Sequence, residues 1–326
     1  MKVLLFLFLL FFSLVNNAQN FQSQHFYIEK LSPNIYAAIA KNGGYAICNA
    51  GVVDLGKEVL VFDPFMTPQA ATDLLKFINT TIKKPVRFVV NSHAHNDHIR
   101  GNQVFKNATI IATPVIRETI AKTEPLEIAD EKEYAPARMR YYDSIGIEKD
   151  KWQAVEDSLW RGYFEGILKS HPILKTTLPN FVFTDSLTIY GDKTIVKLVS
   201  FGDGHTASDV FMFLPKEKIA FMGDLLFTEF HPWIGDSKLK NWITYLQRVN
   251  TLNITTLVSG HGPPGNSGDL DKMISYLGAV RRIANELNSP EVTDEAINKK
   301  MPAEYSSWHG KRFFNFNIRY AAKNPD

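Results

Sequence analysis

The segment His93-Ala94-His95-Asn96-Asp97-His98 places three imidazoles and one carboxylate within six residues. Both ligand types suit zinc and its neighbours among the divalent metals. On extended backbone, residues two positions apart point the same way, so His93 and His95 can converge on one ion. Asp97 and His98 are adjacent and can diverge toward a second. One short loop would then serve two ions a few ångströms apart, as two-metal hydrolases require. A histidine-rich stretch can also be a polar loop with adventitious metal affinity. Asp97, and the apolar run Val86-Arg87-Phe88-Val89-Val90 just before the cluster, argue against that reading.

The cluster is too small to complete two coordination shells. Further ligand types stand downstream, each after an apolar run. Gly204-His205-Thr206 follows a run ending near Phe201, Gly223-Asp224 one ending at Met222, and Gly260-His261-Gly262 one ending at Val258. In each, a glycine permits a tight turn beside a ligand-type residue. One such coincidence is an ordinary turn; three, all downstream of the cluster, read as the rest of a site.

With these residues in this order the chain resembles the metallo-β-lactamase-fold metallohydrolases. The resemblance rests on Asp63, His93, His95, Asp97, His98, His205, Asp224 and His261, and on the phrases Gly204-His205-Thr206-Ala207-Ser208-Asp209 and Ser259-Gly260-His261-Gly262-Pro263. It covers residues 30–113 and 180–280. It implies an α/β protein, an αββα sandwich with metals at one edge. It further implies that His93, His95 and His205 hold a first zinc, that Asp97, His98 and His261 hold a second, and that Asp224 bridges them. Iron or manganese are the alternatives to zinc. Asp63 would orient a ligand histidine through a hydrogen bond. Thr206 and Ser208 read as structural. Zinc lowers the pKa of bound water from about 15.7 to about 7, so a metal-bound hydroxide can cleave an ester, lactone or amide, with Asp97 as the catalytic carboxylate.

Substrate is less legible. The best-known β-lactamases of this family carry a cysteine where this chain has Asp224 and a lysine three positions on, where it has Phe227. Both departures favour a broader hydrolase of small molecules over a β-lactamase hydrolysing β-lactam antibiotics, which stands as the alternative. A reading of another class is a metal-binding accessory or iron redox protein on the same fold. Phe227, His231 and Trp233 are candidates for a pocket wall, with ordinary loop packing the plainer account of His231 and Trp233.

Such loops need strands and helices to hold them. Apolar or alternating runs predict strands over 34–40, 44–48, 58–62, 86–90, 180–183, 187–190, 194–199, 210–214 and 218–222. Helical spacing of Ala70, Leu74, Leu75 and Ile78 predicts a helix from Thr67 to Thr81. Residues 114–180 are charged, helix-forming and punctuated by prolines, and read as a helical insertion that packs on the core, caps a pocket or pairs two subunits. The fold domain is expected over 19–290, with a helical or irregular tail over 291–326.

A chain of 326 residues can bury one large core or two small ones. A net charge of +2 gives no electrostatic footprint for nucleic acid, so the expected partner is a small-molecule substrate; a homo-oligomer stays open. The single cysteine, Cys48, sits in an apolar stretch and reads as a buried structural thiol. Residues 1–18 read as a signal peptide: a basic start, an apolar run from Val3 to Val15, then a polar segment ending at Ala18. The run falls short of the about 20 residues a span needs, so the expectation is export to the periplasm or medium with no stable membrane span after cleavage.

Overall fold

The computed structural model describes residues 21–145 and 151–325. The expected leader lies outside them. Strands β1 (Phe26–Ser32), β2 (Ile35–Ala40), β3 (Ala50–Asp54), β4 (Val59–Phe62), β5 (Val86–Val90), β6 (Thr109–Ala112) and β7 (Phe181–Val182) form one sheet in sequence order. It is antiparallel from β1 to β4 and parallel from β4 to β7. Strands β8 (Ser186–Tyr190), β9 (Ile195–Val199), β10 (Phe211–Leu214), β11 (Ile219–Phe221) and β12 (Thr256–Val258) form the second, antiparallel except between β11 and β12.

The helices are α1 (Pro68–Phe77), α2 (Asn96–Ile99), α3 (Pro114–Ser144), α4 (Lys151–Ser170), α5 (Leu239–Asn250), α6 (Ser267–Leu287), α7 (Asp294–Asn298) and α8 (Lys311–Lys323). Strand alternation sets the layers. Leu60 and Phe62 of β4 face the second sheet and join a core with Val90, Met212 and Phe221. Val59 and Val61 face the other way, onto Ala70, Leu74 and Phe77 of α1. The outer face of the second sheet, through Phe213, Ala220 and Leu257, packs on Trp242 of α5 and Met273 and Leu277 of α6. The result is helix, sheet, sheet, helix, the expected αββα sandwich. Helix α1 starts where Thr67 caps the Ala70 N–H and Pro68 takes the first turn.

Residues 44–48 are a loop, not the predicted strand. Ile47 there adopts a left-handed φ of 68°, which ends any pleat, and the Cys48 thiol donates to the Asp97 carbonyl oxygen at 2.9 Å. Strands β1, β3 and β6 go beyond the predicted set. In β3, Gly51 permits close sheet contact: a Cβ there would lie 2.8 Å from the Phe221 ring.

Residues 114–144 and 151–170 form the paired helices α3 and α4, with Pro125 and Pro136 inside α3. Ile116 and Ile120 anchor α3 in the inter-sheet core, while Phe164 and Ile167 of α4 pack with Ala135 on Met66. Beyond residue 290, Ile297 of α7 and Phe314 and Ile318 of α8 enter the helical layer outside the second sheet. Among the described residues no helix is long and apolar enough to cross a membrane.

Candidate metal centre

The parallel strands β4 and β5 deliver Asp63 and the histidine cluster to one edge, as α/β proteins commonly build sites at strand carboxyl ends. The second sheet supplies the rest. His205 lies on the β9–β10 connection, Asp224 on a short turn after β11, and His261 just beyond β12. All seven expected ligands meet there. They fall into His93, His95, His205 and Asp224, and Asp97, His98 and His261, each set with its ligand atoms within 4.8 Å of one another.

Asp224 faces both sets. Its Oδ2 lies 3.5 Å from His205 Nε2 and 3.9 Å from His93 Nε2, and its Oδ1 lies 3.1 Å from His98 Nε2 and 3.3 Å from His261 Nε2. Asp97 Oδ2 stands 3.5 Å from His98 Nε2 and 3.3 Å from His261 Nε2.

Outer hydrogen bonds select which nitrogen each ring presents. Ser92 Oγ lies 2.9 Å from His93 Nδ1, turning Nε2 inward. Asp63 Oδ2 holds His98 Nδ1 at 2.9 Å, and its Oδ1 accepts the Ser92 N–H at 2.8 Å. Asp63 thus steadies His98 directly and the backbone leading into His93 through Ser92, from a left-handed φ of 54°. His95 is reversed: Asp236 Oδ2 takes its Nε2 at 3.0 Å and Nδ1 faces His205. Asp236 was not anticipated from sequence. It lies 141 residues from His95, and nothing in Trp233-Ile234-Gly235-Asp236 marks it.

The donor set fits metal. His93 Nε2 is buried without a hydrogen-bond partner, and His98 Nε2 and Asp224 Oδ1, also buried, face each other at 3.1 Å with no partner beyond the cluster. A buried polar atom left unpaired costs roughly 1–3 kcal/mol. Imidazole and carboxylate donors at two adjoining centres would be satisfied by two divalent ions, and suit zinc, iron or manganese.

The charges are tightly coupled. Burial opposes ionisation of Asp97 and Asp224, yet His98 and His261 outweigh it and hold both carboxyls well below the usual range. Burial likewise opposes charge on His261, but Asp224 and Asp97 push it up to about 9. His98 moves the same way, well above its ordinary value. Burial holds His205 down to about 3. Burial also pushes the Cys48 thiol up to about 12, which keeps it neutral beside the cluster.

The loops carrying these ligands are themselves clasped. Asn49 Nδ2 donates to the carbonyl oxygens of Ser259 (2.9 Å) and Gly262 (2.8 Å), either side of His261. Asp209 accepts the Thr206 N–H and hydroxyl, each at 3.0 Å, which closes the turn after His205; burial pushes this carboxyl up to about 7. Ser208 Oγ bonds Thr113 Oγ1 at 2.8 Å, so Thr206 and Ser208 hold the turn. The insertion touches the motif as well, because Asn96 Nδ2 donates to Glu131 Oε1 of α3 (3.2 Å) and to the Tyr163 hydroxyl of α4 (3.3 Å).

A cavity of about 1170 Å³ opens onto His95, Asp97, Asp224 and His261. Helices α3, α4 and α8 contribute to its walls. Phe227 lies nearly parallel to the His261 ring, centroids 5.1 Å apart. Trp233 also faces the cavity and stacks on Phe316 at 4.1 Å. His231 borders the cavity but is only 1% exposed, its ring packed among Tyr276, Trp308 and Phe314 with Nδ1 3.1 Å from the Tyr276 hydroxyl.

A family model described as the metallo-beta-lactamase superfamily matches residues 43–261. A curated relative, the Beta-lactamase-like protein 2 homolog of Caenorhabditis elegans, is 25% identical over 242 residues. The match covers 72% of this chain and 64% of that protein, so the chain spans less than two thirds of that relative. A metallo-beta-lactamase from Pontibacter korlensis superposes with a TM-score of 0.58 at 18% identity, over 78% of this chain and 99% of its own. The DIM-1 metallo-beta-lactamase superposes with a TM-score of 0.56 at 15% identity, over 78% and 97%. At such identities the likeness is one of fold.

Proposed function

This chain belongs to the metallo-beta-lactamase superfamily, and on that premise we propose that it is a metal-dependent hydrolase holding two divalent ions, zinc foremost, that cleaves an ester, lactone or amide of a small molecule. The observation that carries this reading is Asp224, one carboxylate turned toward two histidine sets. Ions held there would polarise the substrate oxygen and lower the pKa of water to about 7.

The chain's own groups do the rest. His93, His95 and His205 would hold the first ion, and Asp97, His98 and His261 the second. Asp97 is the more exposed of the two central carboxylates, 13% against 5% for Asp224, and it lines the cavity. Held ionised, it can accept the proton of an attacking water at its oxygen. Asp63 and Asp236 keep His98 and His95 aimed at the centre. Phe227 shields the His261 side from solvent.

We place the protein outside the cytoplasm, on the leader pattern of residues 1–18. The test is to express the chain with its leader in a bacterial host, determine the mature N-terminus, and measure bound metal. The purified protein is then assayed on β-lactam, lactone, ester, thioester and phosphodiester substrates. Two ions per chain and turnover lost in Asp97→Ala support the proposal. An Asp97→Ala protein with wild-type turnover would sink it, and iron with redox activity but no hydrolysis would favour an electron-transfer protein on this fold.

A further inference from the structure

The cavity is larger than hydrolysis of a fragment needs, and its charge is uneven. Small-molecule pockets run to about 300–1,000 Å³, and this one reaches about 1170 Å³. At the metal edge stand carboxylates, with Asp236 bonded to His95 and Glu127 close enough to feel the same ring. Two guanidiniums also line the cavity, Arg138 from α3 and Arg312 from α8. The Arg312 Cζ sits 3.1 Å from the Trp160 ring centroid and 5.2 Å from that of Phe313.

An aromatic wall joins the two regions. Trp233, three residues from Asp236, has its ring 5.7 Å from Phe313, and Phe313 lies 5.5 Å from Trp160. Trp160 is 5.9 Å from Tyr163, whose hydroxyl meets Asn96 beside the ligand Asp97. The wall offers an apolar body continuous cover from the metal edge to Arg312.

Arg312 has no carboxylate within ion-pair distance among the described residues. Glu156 is the acidic group whose charge it feels, but Glu156 is committed to His309 Nδ1 (2.9 Å) and to the Gly310 N–H (2.9 Å). Arg312 keeps an exposed surface, yet partial desolvation among its neighbours and the nearby Arg138 both work against its charge. A guanidinium is a rigid planar fork that matches a carboxylate with two parallel hydrogen bonds. Stacked on an indole and short of an anion, Arg312 is placed to receive one from the cavity.

We infer that the cavity takes an amphiphilic carboxylate, its apolar body along Trp233, Phe313 and Trp160, its carboxylate on Arg312, and its hydrolysable bond at the histidine–aspartate cluster. The position of the reacting bond rests on the hydrolase reading; recognition of the anion does not. Hydrolysis there adds water across one carbon–oxygen or carbon–nitrogen bond and yields an acid and an alcohol or amine. Arg138 adds to the positive field without a contact of its own being required.

Two measurements test this on the full mature protein with its metals. In the first, calorimetry compares phenyloctanoate with its neutral isostere phenyloctanamide, in wild type, Arg312→Met and Arg312→Lys. A charge-assisted hydrogen bond is worth about 1.5–3 kcal/mol, so the acid should bind about 10- to 100-fold more weakly to Arg312→Met, with partial recovery in Arg312→Lys. The amide should shift far less. Acid affinity that does not depend on Arg312 would overturn the inference, including an acid preference arising wholly at the metals. In the second, KM is compared for nitrophenyl monoesters of dicarboxylic acids of rising chain length and for their neutral methyl diesters. The half-acids should lose their KM advantage in Arg312→Met. Acid-selective, Arg312-dependent binding without turnover of either ester would uphold this inference and count against the hydrolase reading.

Discussion

Gly260→Ala tests the centre through geometry alone, without touching a ligand. A Cβ on Gly260 would lie 2.0 Å from Asp224 Oδ1 and 2.8 Å from the Gly223 carbonyl carbon, where ordinary contact begins at 3.4 Å. The loop cannot retreat cheaply, since the Gly260 N–H donates to Gly223 O at 2.8 Å and to Leu226 O at 3.0 Å. The carboxylate must therefore swing by more than an ångström, and the oxygen displaced is the one facing His98 and His261. Overpacking of this kind costs about 1–3 kcal/mol of stability. A misplacement near 1 Å costs on the order of 10²-fold in rate. Elemental analysis should find the Asp97–His98–His261 set depleted, and ester turnover should fall about a hundredfold. Gly278→Ala is the control, because nothing lies within 4 Å of a Cβ there. Within α6 it should be neutral or stabilising by up to about 1 kcal/mol. Wild-type metal content and turnover in Gly260→Ala would refute the view that Asp224 serves both sets from this position.

Asp63→Asn removes the anion behind His98 and should weaken metal binding about 10- to 100-fold, read by competition with a chromogenic chelator. His231→Ala should lose about 2–4 kcal/mol in denaturant unfolding, because it empties a packed aromatic site, yet keep its full metal content. Metal loss there would place His231 in the centre after all. Metal binding to the chelated protein should release protons, because His98 and His261 must lose theirs to ligate. Affinity should then rise with pH toward about 9, the His261 value, and calorimetry in buffers of different ionisation enthalpy would show it. The same shift gives the chelated protein a stabilising contribution from His261 that is complete below its ordinary value of 6.5 and lost as pH rises through about 9. A melting temperature of the chelated wild-type protein that shows no fall across this window would contradict it.

Sequence by itself picked out the candidate ligands and most of the strand ends that present them. His93, His95, Asp97 and His98 share one loop, and His205, Asp224 and His261 each sit beside a glycine after an apolar run. Such signals are local, a spacing or a strand ending, and local signals survive in a linear text. Tertiary structure decided the rest. Gly51 lies in a strand that the local pattern did not predict, and its missing side chain makes room for Phe221 across the sandwich. Sequence left His231 between pocket wall and loop packing; in the structure it borders the cavity while its ring packs among Tyr276, Trp308 and Phe314 from α6 and later segments. Asp236 orients His95 across 141 residues, and Arg312 meets Trp160 from a helix near the end of the chain. These contacts pay no tribute to periodicity. They exist because burying the sandwich's apolar faces brings distant segments to one edge, and only then do side chains with no shared motif become neighbours.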